Sequence, residues 1–313
     1  MSHLLSVVIP CYNEESGIEA LLARLDALVS SLSDQLKIEV IIVDDHSTDR
    51  TFPLLRQFVR DRNYLKVLRL SRNSGSHIAI IAGMSHCQGE AAVFLAADLQ
   101  DPPELITELV DQWKKGFDVV WAVRAKREGV SSRSLLFSKL YYWLINKYTD
   151  VYFPPSGADF ALLDRKVVDG LVQSAGSKPS LGALIMWLGF HQTEIPYVKE
   201  ARKFGKSKWT LRKKLNAFAD AFVGFSYFPM RFMIGLGFFA ALAGFLYALV
   251  IILLRLTIGH QIQGWSSLMI VVLILGGLQM LMLGVLGEYL WRNLEESRRR
   301  PLFLIEATAL SEK

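Results

Sequence analysis

Acidic side chains gather where this chain's apolar runs stop. Ala91–Ala97 is one such run, short and bounded, and reads as a buried strand; Asp98-Leu99-Gln100-Asp101-Pro102-Pro103-Glu104 follows it. Asp101 is placed to cap a helix that opens at Pro102 and Pro103, with Glu104 in its first turn. A second run, Ile38–Val43, ends in Asp44-Asp45-His46-Ser47-Thr48-Asp49, and a third, Leu5–Pro10, ends in Cys11-Tyr12-Asn13-Glu14-Glu15. Taken alone, Asp98 and Asp101 read as turn and cap residues. Three acidic run ends together suggest chemistry instead: carboxylates so placed can hold an anionic ligand through a divalent cation.

The elements that must position these acids alternate. Leu5–Pro10 is followed by the helical pattern Ile18, Leu21, Leu22, Leu25, Leu28, and Ile38–Val43 by a helix over 51–62. Leu65–Leu70 leads through Arg72-Asn73-Ser74-Gly75 into a helix over 77–86; Ala91–Ala97 is the fourth strand and Phe117–Val123 the fifth. This alternation predicts the α/β class, with a doubly wound, mostly parallel sheet and right-handed crossovers. In such open sheets ligands bind beyond the carboxyl ends of the strands. No GxGxxG follows the first strand and no GxxxxGK[ST] occurs, so the usual dinucleotide fingerprint and the P-loop are both missing.

The apolar half of the composition is unevenly spread. Phe232–Leu254 and Trp265–Gly287 contain no Asp, Glu, Lys or Arg, and each is long enough to cross a hydrocarbon core of about 30 Å. Arg231 precedes the first, Arg292 and Arg298–Arg300 follow the second, and the connection offers only Arg255 and His260. The positive-inside rule then predicts a two-helix transmembrane hairpin with both ends cytoplasmic. Leu4–Pro10 is too short for a signal peptide, so the front half is expected in the cytoplasm. Cys11 and Cys87 are the two cysteines, which fits a reducing compartment and gives no metal-ligand spacing. The net charge of +5 does not indicate nucleic acid, because the basic residues flank the apolar runs and suit anionic lipid. Leu211, Leu215, Phe218, Ala219, Phe222 and Phe225 recur at helical spacing and predict an interfacial amphipathic helix, as do Leu135, Leu136, Leu140, Tyr141, Trp143 and Leu144 beyond Arg133.

In order and spacing, Val7–Glu15, Val43–Thr51 and Ala97–Glu104 resemble the successive signatures of family 2 glycosyltransferases. Through Gly205-Lys206-Ser207-Lys208-Trp209 and the two terminal spans, the likeness narrows to the polyprenyl-phosphate glycosyltransferases, the group of dolichol-phosphate mannose synthase and the bacterial GtrB and ArnC enzymes. The resemblance implies a GT-A fold in which Pro10, Tyr12, Asn13, Glu14 and Asp44 belong to the nucleotide site, with Asp45 nearby and Arg124 after the fifth strand. It implies Mg2+ or Mn2+ on the donor diphosphate. Many relatives have Asp-x-Asp at the fourth strand; this chain has Ala96-Ala97-Asp98, which leaves Asp98 and Gln100 as the metal residues. Arg133 and Ser138 match the positions that engage the acceptor phosphate, Asp159 the acid near the acceptor, and Arg202 and Lys208 the residues that reach the diphosphate.

The implied reaction is inverting transfer of a sugar, glucose by preference, from a UDP-sugar to polyprenyl (undecaprenyl) phosphate at the cytoplasmic face of the inner membrane. Asp98 and Asp159 are the catalytic candidates, and a homo-oligomer is expected. The chain then divides into a GT-A domain over 1–200, a basic juxtamembrane loop and interfacial helix over 201–230, two transmembrane helices over 231–290 and a cytoplasmic tail over 291–313. A processive polysaccharide synthase is the rival within enzymes; the absence of Gln-x-x-Arg-Trp and the presence of two spans only oppose it. A transporter with a nucleotide-sensing domain is opposed by spans without an ionisable residue.

Overall fold

The computed structural model describes residues 3–125, 143, 146–148, 158–176, 179–200, 226, 228–258 and 264–311. The chain forms two units, Met1–Ala221 with Pro301–Lys313, and Phe222–Arg300.

In the first unit the elements run β1 (His3–Cys11), α1 (Ile18–Leu32), β2 (Leu36–Asp44), α2 (Thr51–Val59), β3 (Leu65–Leu70), α3 (Ser76–Met84), β4 (Ala91–Phe94), a 3-10 turn (Pro103–Leu105), α4 (Ile106–Lys114), β5 (Val119–Arg124), β6 (Ala158–Asp164), α5 (Arg165–Ser174), α6 (Leu181–Trp187) and β7 (Gln192–Tyr197). The second unit holds α7 (Phe228–Ile258) and α8 (Trp265–Ser297), after which β8 (Ile305–Leu310) returns to the first. One sheet in the order β7-β5-β6-β4-β1-β2-β3-β8 results. β1 pairs in parallel with β2 and β4, β2 with β3, and β5 with β7. Strand β6 lies antiparallel between β4 and β5.

The central strands are apolar on both faces, as strands covered on both faces are: Val7, Val8, Ile9 and Val40–Val43 have no exposed surface. Helix α3 lies against β1 so closely that a Cβ on Gly83 would collide with the Val8 side chain. In α1, Ile18, Leu21, Leu22, Leu25 and Leu28 form the buried stripe that their spacing foretold.

Three details differ from the sequence reading. Ala91–Ala97 is a strand only to Phe94; Leu95 N still reaches Val8 O at 3.1 Å, and the chain then leaves the ladder. Asp101 caps nothing: the turn at Pro103 has no side-chain cap, because the Asp101 carboxylate is taken by Tyr197 and Lys199. Within 291–313, read as a tail, α8 continues to Ser297 and Ile305–Leu310 pairs antiparallel with β3. The predicted helix beyond Arg133 and the interfacial helix around 211–225 lie outside the described residues.

Helices α7 and α8 are long and apolar enough to cross a membrane: Phe228–Leu254 and Ser267–Ser297 each contain an 18-residue stretch with a mean hydropathy of 2.5. Ser226 Oγ accepts from Phe228 N at 3.0 Å at the start of α7, and Tyr289 Oη of α8 donates to Ser226 O at 3.0 Å. Gly237 faces Met282, whose Cε lies 3.7 Å from where a Cβ would stand.

Candidate active site

The ends of β1 and β2 form one connected wall. Asp45 N donates to Cys11 O at 2.9 Å, which fixes the two strand ends in register. Asn13, in the left-handed region with φ 52, donates from its backbone to Ser47 Oγ at 2.9 Å. Its side-chain oxygen accepts from Thr48 N at 2.8 Å. Glu14 N donates to Thr51 Oγ1 at 2.9 Å, and Arg50 N to the Glu15 carboxylate at 2.9 Å. Asn13 thus serves the wall through its hydrogen bonds to the facing loop, whereas Pro10, Tyr12 and Glu14 stand partly exposed along it.

The neighbours Asp44 and Asp45 are both buried, but their oxygens are used differently. Asp45 accepts from Ser74 N at 2.6 Å and from Gly75 N at 2.8 Å, one bond to each oxygen, so it pins the loop that enters α3. Asp44 has no exposed surface. Its Oδ1 accepts from Ser47 N at 3.1 Å, whereas Oδ2 has no hydrogen-bond partner among the described residues. Arg69 Nη1, 3.6 Å from Oδ2, gives charge compensation beyond hydrogen-bond range. Burial pushes both carboxyls above the usual aspartate value; the Ser47 bonds and Arg69 oppose this at Asp44, and the Ser74 and Gly75 amides at Asp45. A buried acceptor without a donor suits a ligand N–H. The Cys11 thiol beside it is pushed well up by burial and then by the Asp44 charge, so it stays neutral and is no nucleophile.

The end of β4 is built by a loop and by residues from across the sheet. Asp98 is partly exposed, and its Oδ1 accepts from Gln100 N at 3.1 Å, an Asx turn that aims the carboxylate. Leu99 sits at φ 58 and is buried. Gln100 O accepts from Glu200 N at 2.9 Å, and Gln100 Nε2 donates to Glu200 O at 3.3 Å. Arg24 of α1 clamps Glu104 at 2.5 Å and Glu200 at 3.0 Å. Tyr197 Oη donates to Asp101 Oδ1 at 2.7 Å, and Lys199 Nζ approaches the same oxygen at 2.9 Å. Sequence reasoning missed Tyr197 and Glu200, and read Lys199 with the basic residues that suit anionic lipid.

No group of three or more His, Cys, Asp or Glu side chains fit for a metal ion occurs among the described residues. A partly exposed, oriented Asp98 with the Gln100 amide oxygen still fits a magnesium-like ion, which takes one or two carboxylates plus phosphate oxygens from its ligand. Arg124 ends β5 opposite Tyr197 and is partly exposed. Asp159 lies in β6, but its carboxylate is outside the described residues, as are Arg133, Ser138, Arg202 and Lys208.

Known proteins resemble the chain along nearly its whole length. The undecaprenyl-phosphate 4-deoxy-4-formamido-L-arabinose transferase of Pseudomonas aeruginosa is 35% identical over 97% of this chain and 89% of its own. The bactoprenol glucosyl transferase of Shigella phage SfV is 30% identical over 96% of this chain and 98% of its own. Glucosyl-3-phosphoglycerate synthase from Mycobacterium tuberculosis, solved with Mn2+, UDP-glucose and phosphoglyceric acid, shares the fold at a TM-score of 0.50 and 20% identity, over 71% of this chain and 78% of that one. Residues 6–171, which carry the acidic ends of β1, β2 and β4, match the glycosyl transferase family 2 pattern, and the chain belongs to that family.

Proposed function

We propose that the chain moves a sugar, glucose by preference, from a UDP-sugar to polyprenyl phosphate. The observation that carries this reading is the end-to-end likeness to relatives named for bactoprenol and undecaprenyl phosphate, both apolar helices included. The orphaned Asp44 oxygen supports a uridine donor, since the base has an imide N–H to give it. Pro10, Tyr12 and Glu14 line the same wall, and Arg124, at the end of β5, is assigned to the nucleotide by family likeness. Asp98 and the Gln100 oxygen would hold Mg2+ or Mn2+; when bound, such an ion offsets charge on the departing diphosphate.

In the reaction an acceptor phosphate oxygen forms a bond to the anomeric carbon while the carbon–oxygen bond to the diphosphate breaks. UDP leaves with the electron pair, and the configuration inverts. Arg133 and Ser138 position the acceptor phosphate, and Arg202 and Lys208 hold the diphosphate. A phosphate monoester with a second pKa of about 6 is already mostly a dianion at neutral pH, so Asp159 orients the acceptor more than it takes a proton.

Both ends of the α7–α8 hairpin are assigned to the cytoplasmic side. Because β8 belongs to the same sheet as β1, the chain must return to the side it left, which requires an even number of crossings. A cysteine at Gly264 that reacts with an impermeant reagent on intact cells agrees with this; reaction only after lysis opposes it. To test the activity, the purified chain is incubated in detergent with undecaprenyl phosphate, Mg2+ or Mn2+ and a panel of labelled sugar nucleotides. A labelled lipid from UDP-glucose is the expected product, and a polymer or no lipid product would overturn the reading.

A further inference from the structure

The strand that follows the membrane hairpin brings a carboxylate to the donor wall. In the β3–β8 ladder Arg69 pairs with Ala307 and Leu70 with Ile305, so Glu306 is the extra residue of a β-bulge. A bulge interrupts the ladder and bends the strand at that point. Glu306 Oε2 reaches Arg69 Nε at 3.0 Å and His46 Nδ1 at 3.3 Å. His46 stands at φ 59 directly after the two acids of β2, and its Nδ1 is also 3.1 Å from Leu70 O. The Arg69 guanidinium lies 4.7 Å from the Phe52 ring centroid, touches Ser47 O at 3.4 Å and stands 3.6 Å from the orphaned Asp44 oxygen.

Three contacts besides Asp44 hold Arg69. Phe52 blocks one face, the Ser47 carbonyl fixes one nitrogen, and Glu306 holds the Nε edge. What remains is the approach of Nη1 to Asp44, too long for a hydrogen bond, which compensates the buried charge without consuming its acceptor. We propose that Glu306 is a positioning residue of the donor site: through Arg69 it sets the wall that receives the nucleobase, so that this wall is complete only with β8 in place. The proposal rests on Asp44 being the donor's base contact, as assigned above, and adds a residue that enters the site after the membrane-spanning helices.

The test is nucleotide binding to the full-length protein in detergent, by calorimetry with UDP, GDP and dTDP in excess Mg2+, beside steady-state kinetics. Glu306→Gln should raise the Kd for UDP about tenfold, equivalent to about 1.4 kcal/mol, and raise KM for the sugar nucleotide with KM for polyprenyl phosphate unchanged. Because Glu306 acts through Arg69, adding Glu306→Gln to Arg69→Gln should bring no further loss. Thr308→Gly, which weakens the same strand without touching Glu306, should lower the melting temperature and keep the affinity. Wild-type affinity in Glu306→Gln, additivity with Arg69→Gln, or an equal loss in Thr308→Gly would each overturn the proposal. Should the wild type prefer another of the three nucleotides, the uridine donor reading falls, and Glu306 is judged on the nucleotide that binds. Binding of none of them overturns both.

Discussion

The ends of β2 and β4 lie in the same sheet and both present acids, yet they are made in opposite ways. The β2 end is buried and tied to the neighbouring strand end: Asp44 and Asp45 are nearly solvent-free, and the loops over 11–15 and 44–51 are joined residue by residue. The β4 end is a partly exposed loop anchored from far along the chain, with Glu200, Lys199 and Tyr197 on Gln100 and Asp101. A prebuilt surface suits recognition of a rigid base. A carboxylate in an exposed loop suits an ion that arrives with its phosphates and keeps some of its water. Under the proposed function, recognition falls to one end and charge handling to the other.

The sharpest way to break this division is Asp98→Asn. Transfer should fall about 10³-fold, the several kcal/mol of charge stabilisation that a metal ion can supply, with melting temperature and metal-free UDP binding unchanged. Full turnover in excess chelator would remove the metal from the β4 end.

At the other end, Asp44→Asn should weaken UDP binding by roughly tenfold to a hundredfold, a charge-assisted bond being worth about 1.5–3 kcal/mol. It should not lower stability at neutral pH. The sign follows from burial, which lifts the folded-state pKa of Asp44 above the ordinary value of 3.8. Between the two values the folded protein binds more protons than the unfolded, so the Asp44 contribution to stability falls as pH rises through that window. Melting temperatures across acidic to neutral pH should show a shallower decline in Asp44→Asn than in the wild type. A variant that melts earlier at neutral pH would make Asp44 a structural acid.

The smallest effect on chemistry is expected next door. Asp45→Asn puts an amide donor against Ser74 N or Gly75 N and leaves a buried group unsatisfied, a cost of about 1–3 kcal/mol in stability. Turnover measured below the melting transition should be retained. A large loss of UDP affinity without a loss of stability would erase the distinction between the two neighbours.

Much of the first unit was legible because its signals are local. Buried strands announce themselves as apolar runs, and α1 by its 3.6-residue spacing. That is why β1, β2 and β3, and the acids after β1 and β2, could be read in order. The return of the chain as β8 was not read, although Ile305, Ala307 and Ala309 alternate with Glu306, Thr308 and Leu310; six residues after an arginine-rich helix end are too few for a periodic signal to stand out. The end of β4 at Phe94 was equally hidden, since Leu95 and Ala97 are apolar for a reason other than pairing: they are buried in the loop.

By itself the sequence determined the α/β alternation, the acidic run ends, the two apolar helices and the family signatures, all of which depend on residue type at short spacing. Only the tertiary structure decided which of two adjacent aspartates has an oxygen without a hydrogen-bond donor among the described residues. It alone gave Asp101 to Tyr197 and Lys199, and it brought Glu306 to Arg69. Those outcomes turn on hydrogen-bond saturation and on strands placed side by side across more than two hundred residues of chain, and neither leaves a trace in local composition.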